Sequence, residues 1–132
     1  MGAFRLDCEV ANIRQDAPSV AIKDVLVDTG SEYSWFPADL LSQAGVSVRK
    51  KALPFVMPNG QEITRDIGYA LIRCGGFETV YEVILGREGD LVLMGARTLE
   101  GFAAVVDPQR KQLVAAGPLP AAFGRQTPDE TT

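Results

Sequence analysis

Histidine is absent from all 132 residues. That removes Ser-His-Asp and Cys-His catalysis together with histidine-based zinc sites. Cysteine is nearly absent as well. Cys8 and Cys74 stand far apart, which makes neither a disulfide framework nor a metal-ligand spacing, so two buried free thiols are expected. No apolar run approaches the length of a bilayer span, and no GxxxxGK phosphate loop is present. Positive charge is sparse. The net charge is −4, and Arg49, Lys50 and Lys51 form the only basic cluster, read as a solvated strand face or turn. Neither a nucleic-acid partner nor a membrane is expected. The opening residues MGAFRLDCEVAN carry Asp7 and Glu9 and no apolar h-region, so no signal peptide is read and a cytoplasmic location is expected. Asp and Glu show no ligand spacing, so neither metal nor cofactor is expected. Hydrolytic chemistry in such a chain would have to rest on carboxylates, lysine or a bound metal.

What is present reads mostly as strand. The length suits one domain with a real core. Strands are expected over Phe4–Ile13, Val20–Val27 and Glu32–Phe36, with QDAPS as the first turn. Pro37 opens a short helix in PADLLSQAG, and Gly45 ends it. Val46–Met57 and Glu62–Cys74 flank Pro58-Asn59-Gly60-Gln61, and Asn-Gly between two extended runs is a strong hairpin signal. Gly75-Gly76 turns the chain into a strand over residues 77–85 that alternates in polarity. LVLM (91–94) is a short apolar strand meeting Gly95, ARTLEGF forms a helical turn or two, and DPQRK closes a last hairpin. The expected division is a domain over residues 1–116 and a flexible tail over 117–132, where composition shifts to Pro, Ala, Gly, Thr and acidic residues.

One stretch raises a question. The run VLVDTGS stops sharply at Asp28, Thr29 and Gly30. Asp, Thr and Gly end many strands, so a turn explains the stop. A catalytic carboxylate explains it equally well. Tyr33, Trp35 and Phe36 follow closely, and core packing is the preferred role for them over a pocket wall.

In their order, three segments resemble the retropepsin-like aspartic proteases, single-domain relatives of pepsin. They are VLVDTGSEYSWF, the Asn-Gly hairpin, and LVLMGARTL followed by GFAAVVDPQRKQLV. The resemblance implies an all-β closed barrel or sandwich of short strands, with one or two short helices and a flap hairpin. It implies an aspartic endopeptidase acting on a peptide or protein substrate. By the same resemblance Asp28 is the catalytic acid, Thr29 locks two loops across a dimer axis, and Gly30 offers its N–H to the carboxylate. Ser31 would add a hydrogen bond to Asp28. Ser31, Glu32 and the flap residues Met57, Pro58, Asn59, Gly60 and Gln61 would meet substrate. Gly95 would sit behind the Asp28 loop, where a side chain would collide. Family members pair the acid at Glu32 with an arginine directly after the later glycine, but here Ala96 holds that place and the arginine is Arg97.

The chemistry fixes a stoichiometry. A lone exposed Asp titrates at about 4 and is a poor base near neutrality. Two carboxylates held close share one proton, so one takes a proton from water while the other donates to the carbonyl oxygen. The sequence has a single Asp-Thr-Gly. The second carboxylate must come from a second copy, and a two-fold homodimer is expected. The alternative is a catalytically silent retropepsin-like module for dimerisation or peptide binding.

Overall fold

Period-two alternation becomes strand along most of the chain. The computed structural model describes residues 4–122. In order, the elements are β1 (Phe4–Ala11), β2 (Val20–Val27), β3 (Ser34–Pro37), α1 (Ala38–Gln43), β4 (Val48–Val56), β5 (Glu62–Cys74), β6 (Phe77–Gly86), β7 (Leu93–Met94), α2 (Ala96–Phe102), β8 (Ala104–Asp107) and β9 (Gln112–Ala115). Every expected strand and both helices are present, with ends moved by a few residues. The first strand stops at Ala11 because the chain turns at Asn12, whose carbonyl accepts from Gln15 N–H. LVLM shortens to Leu93–Met94, and Leu91 is left exposed. Residues 116–122 are exposed and without regular secondary structure, and the remainder of the expected tail lies outside the described residues.

The sheet runs β1-β2-β7-β3-β6-β5-β4, and β1 also pairs with β5. Six strands therefore close into a ring, and β4 hangs from β5 as one arm of a hairpin. Closure removes the exposed edges that a flat sheet would present. Two pairings are parallel. β2 lies along β7 (Leu26↔Leu93, Val27↔Met94), and β3 lies along β6 (Ser34↔Val83 to Pro37↔Gly86). These pairings set the end of β2, where Asp28 stands, against the end of β7, just before Gly95.

In the main core Val25, Phe36, Leu41, Ile72, Val83 and Met94 are fully buried. Each contributes roughly 1.5–3 kcal/mol by leaving water. β6 departs from simple alternation, because Val83 and Ile84 are both completely buried. Val83 joins the main core, while Ile84 faces the cleft described below. Helix α1 buries Leu41 and ends at Gly45, whose φ of +85° suits glycine at a helix stop.

Candidate active site

Asp28 is placed by backbone first. Its N–H donates to the Met94 carbonyl at 3.0 Å, and Leu26 N–H donates to Val92 O at 3.1 Å. The strand is thus pinned up to the aspartate. The turn follows at once: Gly30 N–H donates to Asp28 Oδ1 at 2.9 Å, and Ser31 N–H to the Asp28 carbonyl at 3.2 Å. The sharp stop in VDTGS is therefore both a turn and a presented carboxylate. A Cβ on Gly30 would lie 3.2 Å from Asp28 Oδ1, so the close approach favours glycine. Asp28 is half-buried, while Thr29 and Gly30 are exposed.

Gly95 packs against the backbone that follows this loop. A Cβ there would stand 2.4 Å from the Tyr33 carbonyl oxygen and 2.7 Å from that of Glu32. Its backbone is not left-handed, with φ −96°, so the demand is steric alone. The contact is stitched by hydrogen bonds. Ala96 N–H donates to Ser31 O at 2.7 Å, and Arg97 N–H to Glu32 O at 3.0 Å. Below them lies a buried hydroxyl pair. Ser34 Oγ and Thr98 Oγ1 are 2.6 Å apart, both fully buried, and Ser34 Oγ accepts from Gly95 N–H at 3.0 Å. Each member satisfies another, which is the condition for a buried polar cluster to stabilise.

Arg97 reaches Glu32 despite its one-residue displacement, because α2 starts directly after Gly95. The closest approach is 3.8 Å, with Glu82 at 4.0 Å on the other side, and the guanidinium lies 4.6 Å from the centre of the Tyr33 ring. Glu32 is largely exposed, so the ion pair is worth only about 0.2–1 kcal/mol. Lys50 pairs with the same Glu82.

Ser31 departs from its expected role. Its hydroxyl donates to the Tyr33 carbonyl at 3.1 Å and not to Asp28. The turn aims Gly30 N–H at the carboxylate, and Ser31 braces the strand beyond it.

In front of Asp28 opens a cleft of about 490 Å³. Asp28, Ser31, Glu32 and the Arg65-paired Asp90 are its polar lining. Tyr33, Trp35, Ile84, Leu91 and Leu93 form its walls, and Phe55, Val56, Met57 and Pro58 bring in the β4–β5 hairpin. Phe55 meets Tyr33 edge-on with ring centres 5.9 Å apart, and Trp35 at 5.7 Å. Of the five expected flap residues, Met57 and Pro58 line the cleft while Asn59, Gly60 and Gln61 do not. The loop is longer than a two-residue Asn-Gly turn. Gly60 N–H donates to Met57 O, Met57 N–H donates to Gln61 O, and Gly60 takes φ +88°. Pro58 presets the first corner and Gly60 supplies the left-handed one, as in three-residue hairpin loops.

The base of this hairpin is clamped. Arg65 on β5 donates from Nε and Nη2 to the two Asp90 oxygens at 2.7 and 2.8 Å, and Arg87 N–H adds a third bond at 2.8 Å. The Arg65 guanidinium holds the Asp90 carboxyl below its ordinary value, against the opposing effect of burial.

Sequence reasoning missed the Arg65–Asp90 clamp, the Ser34–Thr98 pair, Phe55 and Leu91. The sequence favours core packing for Tyr33, Trp35 and Phe36 alike, and the structure divides them. Phe36 is fully buried, while Tyr33 and Trp35 face the cleft. The signal was available: in Tyr33-Ser34-Trp35-Phe36 alternate residues point to opposite faces of a strand. Among the described residues no group of three or more Cys, Asp or Glu side chains is placed to hold a metal ion.

No family model matches the chain, and no curated protein matches its sequence. Among solved structures it is similar to the retroviral protease-like domain of Ddi1 from Leishmania major. The identity is 16%, the match covers 87% of this chain and 90% of that one, and the TM-score is 0.50. At that identity the likeness concerns the backbone: this chain has an all-β, retropepsin-like fold.

Proposed function

We propose that the chain is an aspartic endopeptidase, acting as a homodimer in which each subunit supplies Asp28. The observation that carries this is the half-buried Asp28 carboxylate lining a mainly apolar cleft that the β4–β5 hairpin borders. An extended peptide would lie along the cleft with its carbonyl above the two carboxylates. The Gly30 N–H bond to Oδ1 fixes the plane of each carboxylate. With one proton shared between the pair, the ionised member draws a proton from water and the protonated member donates to the carbonyl oxygen. The pair titrates as a unit.

Thr29 and Gly30 are exposed beside Asp28 on the single chain, which suits a surface met by its own copy across a two-fold axis. Closure of the Met57–Gln61 loop over bound peptide would exclude water from the site. Replacing Asp28 by Asn tests the reading. Cleavage of a peptide library should vanish while the fold, followed by circular dichroism, is unchanged. Cleavage that survives in Asp28→Asn would remove Asp28 from the mechanism. A wild-type protein that binds peptide without turnover at any pH would be a binding module instead.

A further inference from the structure

On the far side of β1 from its pairing with β2, the register to β5 runs Glu9↔Arg73, Val10↔Ile72 and Ala11↔Leu71. One step further along the same antiparallel register, Cys8 faces Cys74. Two residues separated by half of the sequence thus become cross-strand neighbours at the seam where the barrel closes. Both thiols are free and almost fully buried. The two thiols lie close enough to perturb one another, and the Cys74 thiol donates to the Asp7 carbonyl at 3.5 Å. They are not sealed off: both line a cleft of about 440 Å³ that Lys23, Arg73 and Phe77 also border.

We propose that Cys8 and Cys74 form a reversible redox pair, closing to an intrachain disulfide when a small hydroperoxide enters this cleft. The neighbouring Cys8 thiol lowers the Cys74 thiol below its ordinary value, while Cys74 and burial push Cys8 up. Cys74 is therefore the attacking sulfur and Cys8 the resolving one. The Cys74 thiolate attacks a peroxide oxygen and the O–O bond breaks. The departing hydroxide takes up the Cys74 proton as water, leaving a sulfenic acid. Cys8, losing its proton, then attacks the Cys74 sulfur. The S–O bond breaks and the second hydroxide leaves as water with that proton. Two thiols are oxidised and hydrogen peroxide is reduced to two waters. The gap is one that adjacent antiparallel strands place within disulfide reach. Closure would tie β1 to β5 and fasten the seam covalently.

The test uses the whole protein and hydrogen peroxide, followed by intact mass, thiol labelling in denaturant and thermal unfolding. The expected product has lost two hydrogens, has no labelled thiol, and yields one peptide pair linking Cys8 to Cys74. Its Tm rises by about 10 °C, and dithiothreitol reverses all of this. Cys8→Ser should instead accumulate a dimedone-reactive sulfenic acid at Cys74. Oxidation that only adds oxygen, links two chains, or leaves both thiols free to label would overturn the proposal. None of these readouts depends on peptide cleavage.

Discussion

Gly95 shows how much one missing side chain can carry. Its Cα faces the Tyr33 and Glu32 carbonyls so closely that even a methyl group collides with backbone. Backbone cannot swing aside as a side-chain tip can. Gly95→Ala should therefore cost about 1–3 kcal/mol by overpacking, read as a fall in Tm. It should also disturb the Asp28 loop, because residues 31 and 32 bond directly to the start of α2. Thr98→Val makes a separate point. It keeps the volume of a fully buried side chain but leaves the Ser34 hydroxyl with only the Gly95 N–H as partner, at a cost of about 1–3 kcal/mol. The importance of Gly95 was legible because a glycine ending an apolar run is visible in sequence. Ser34 and Thr98 were not, since 64 residues separate two ordinary hydroxyls and only the fold joins them. Trp35 lies between these cases. Its alternation with Ser34 and Phe36 was visible, but which face met the cleft depended on the β3–β7 pairing at Trp35↔Leu93. Trp35→Ala should reduce kcat/KM for peptides with a large apolar side chain next to the scissile bond by about tenfold or more. An equal loss for small and large side chains would mean that Trp35 does not shape the pocket.

At the level of elements, the β4–β5 hairpin is lightly packed, with most of β4 exposed. Its loop from Met57 to Gln61 is exposed, and Gly60 has no neighbour within contact distance of an added Cβ. Its base is held by the Arg65–Asp90 fork, both side chains being mostly buried. Asn-Gly announced the hairpin, but nothing local announced the clamp, which joins residues on separate elements. The clamp has a pH signature of definite sign. The Asp90 carboxyl is lowered in the folded state by Arg65, so its stabilisation is complete above the ordinary carboxylate value of about 3.9. It disappears as pH falls through the lower folded value. Asp90→Asn should thus cost about 1.5–3 kcal/mol near neutrality. The Tm difference between wild type and variant should shrink below about pH 4. A difference that stays constant down to strong acid would show that the charge on Asp90 is not what holds the hairpin base.

For the molecule as a whole, the ring of six strands explains why so much of the fold could be read in advance. Each strand carries its own local pattern, and the turns at Gly60, Gly75 and Gly76 fall where positive φ is needed. The order β1-β2-β7-β3-β6-β5 was not in any local pattern, and it is this order that brings Asp28, Gly95 and the aromatic wall together. The single chain still presents one Asp28, so the proposed chemistry belongs to two molecules. The most direct test is subunit mixing. Wild type and Asp28→Asn are combined in equal amounts at fixed total concentration, allowed to exchange, and assayed on a cleavable peptide. If the active site needs Asp28 from both chains, random pairing leaves wild-type dimers as about one quarter of the total, and activity falls to about a quarter of the all-wild-type value. Activity of one half, with exchange verified, would mean that each chain carries a complete site, and would contradict the shared-carboxylate account.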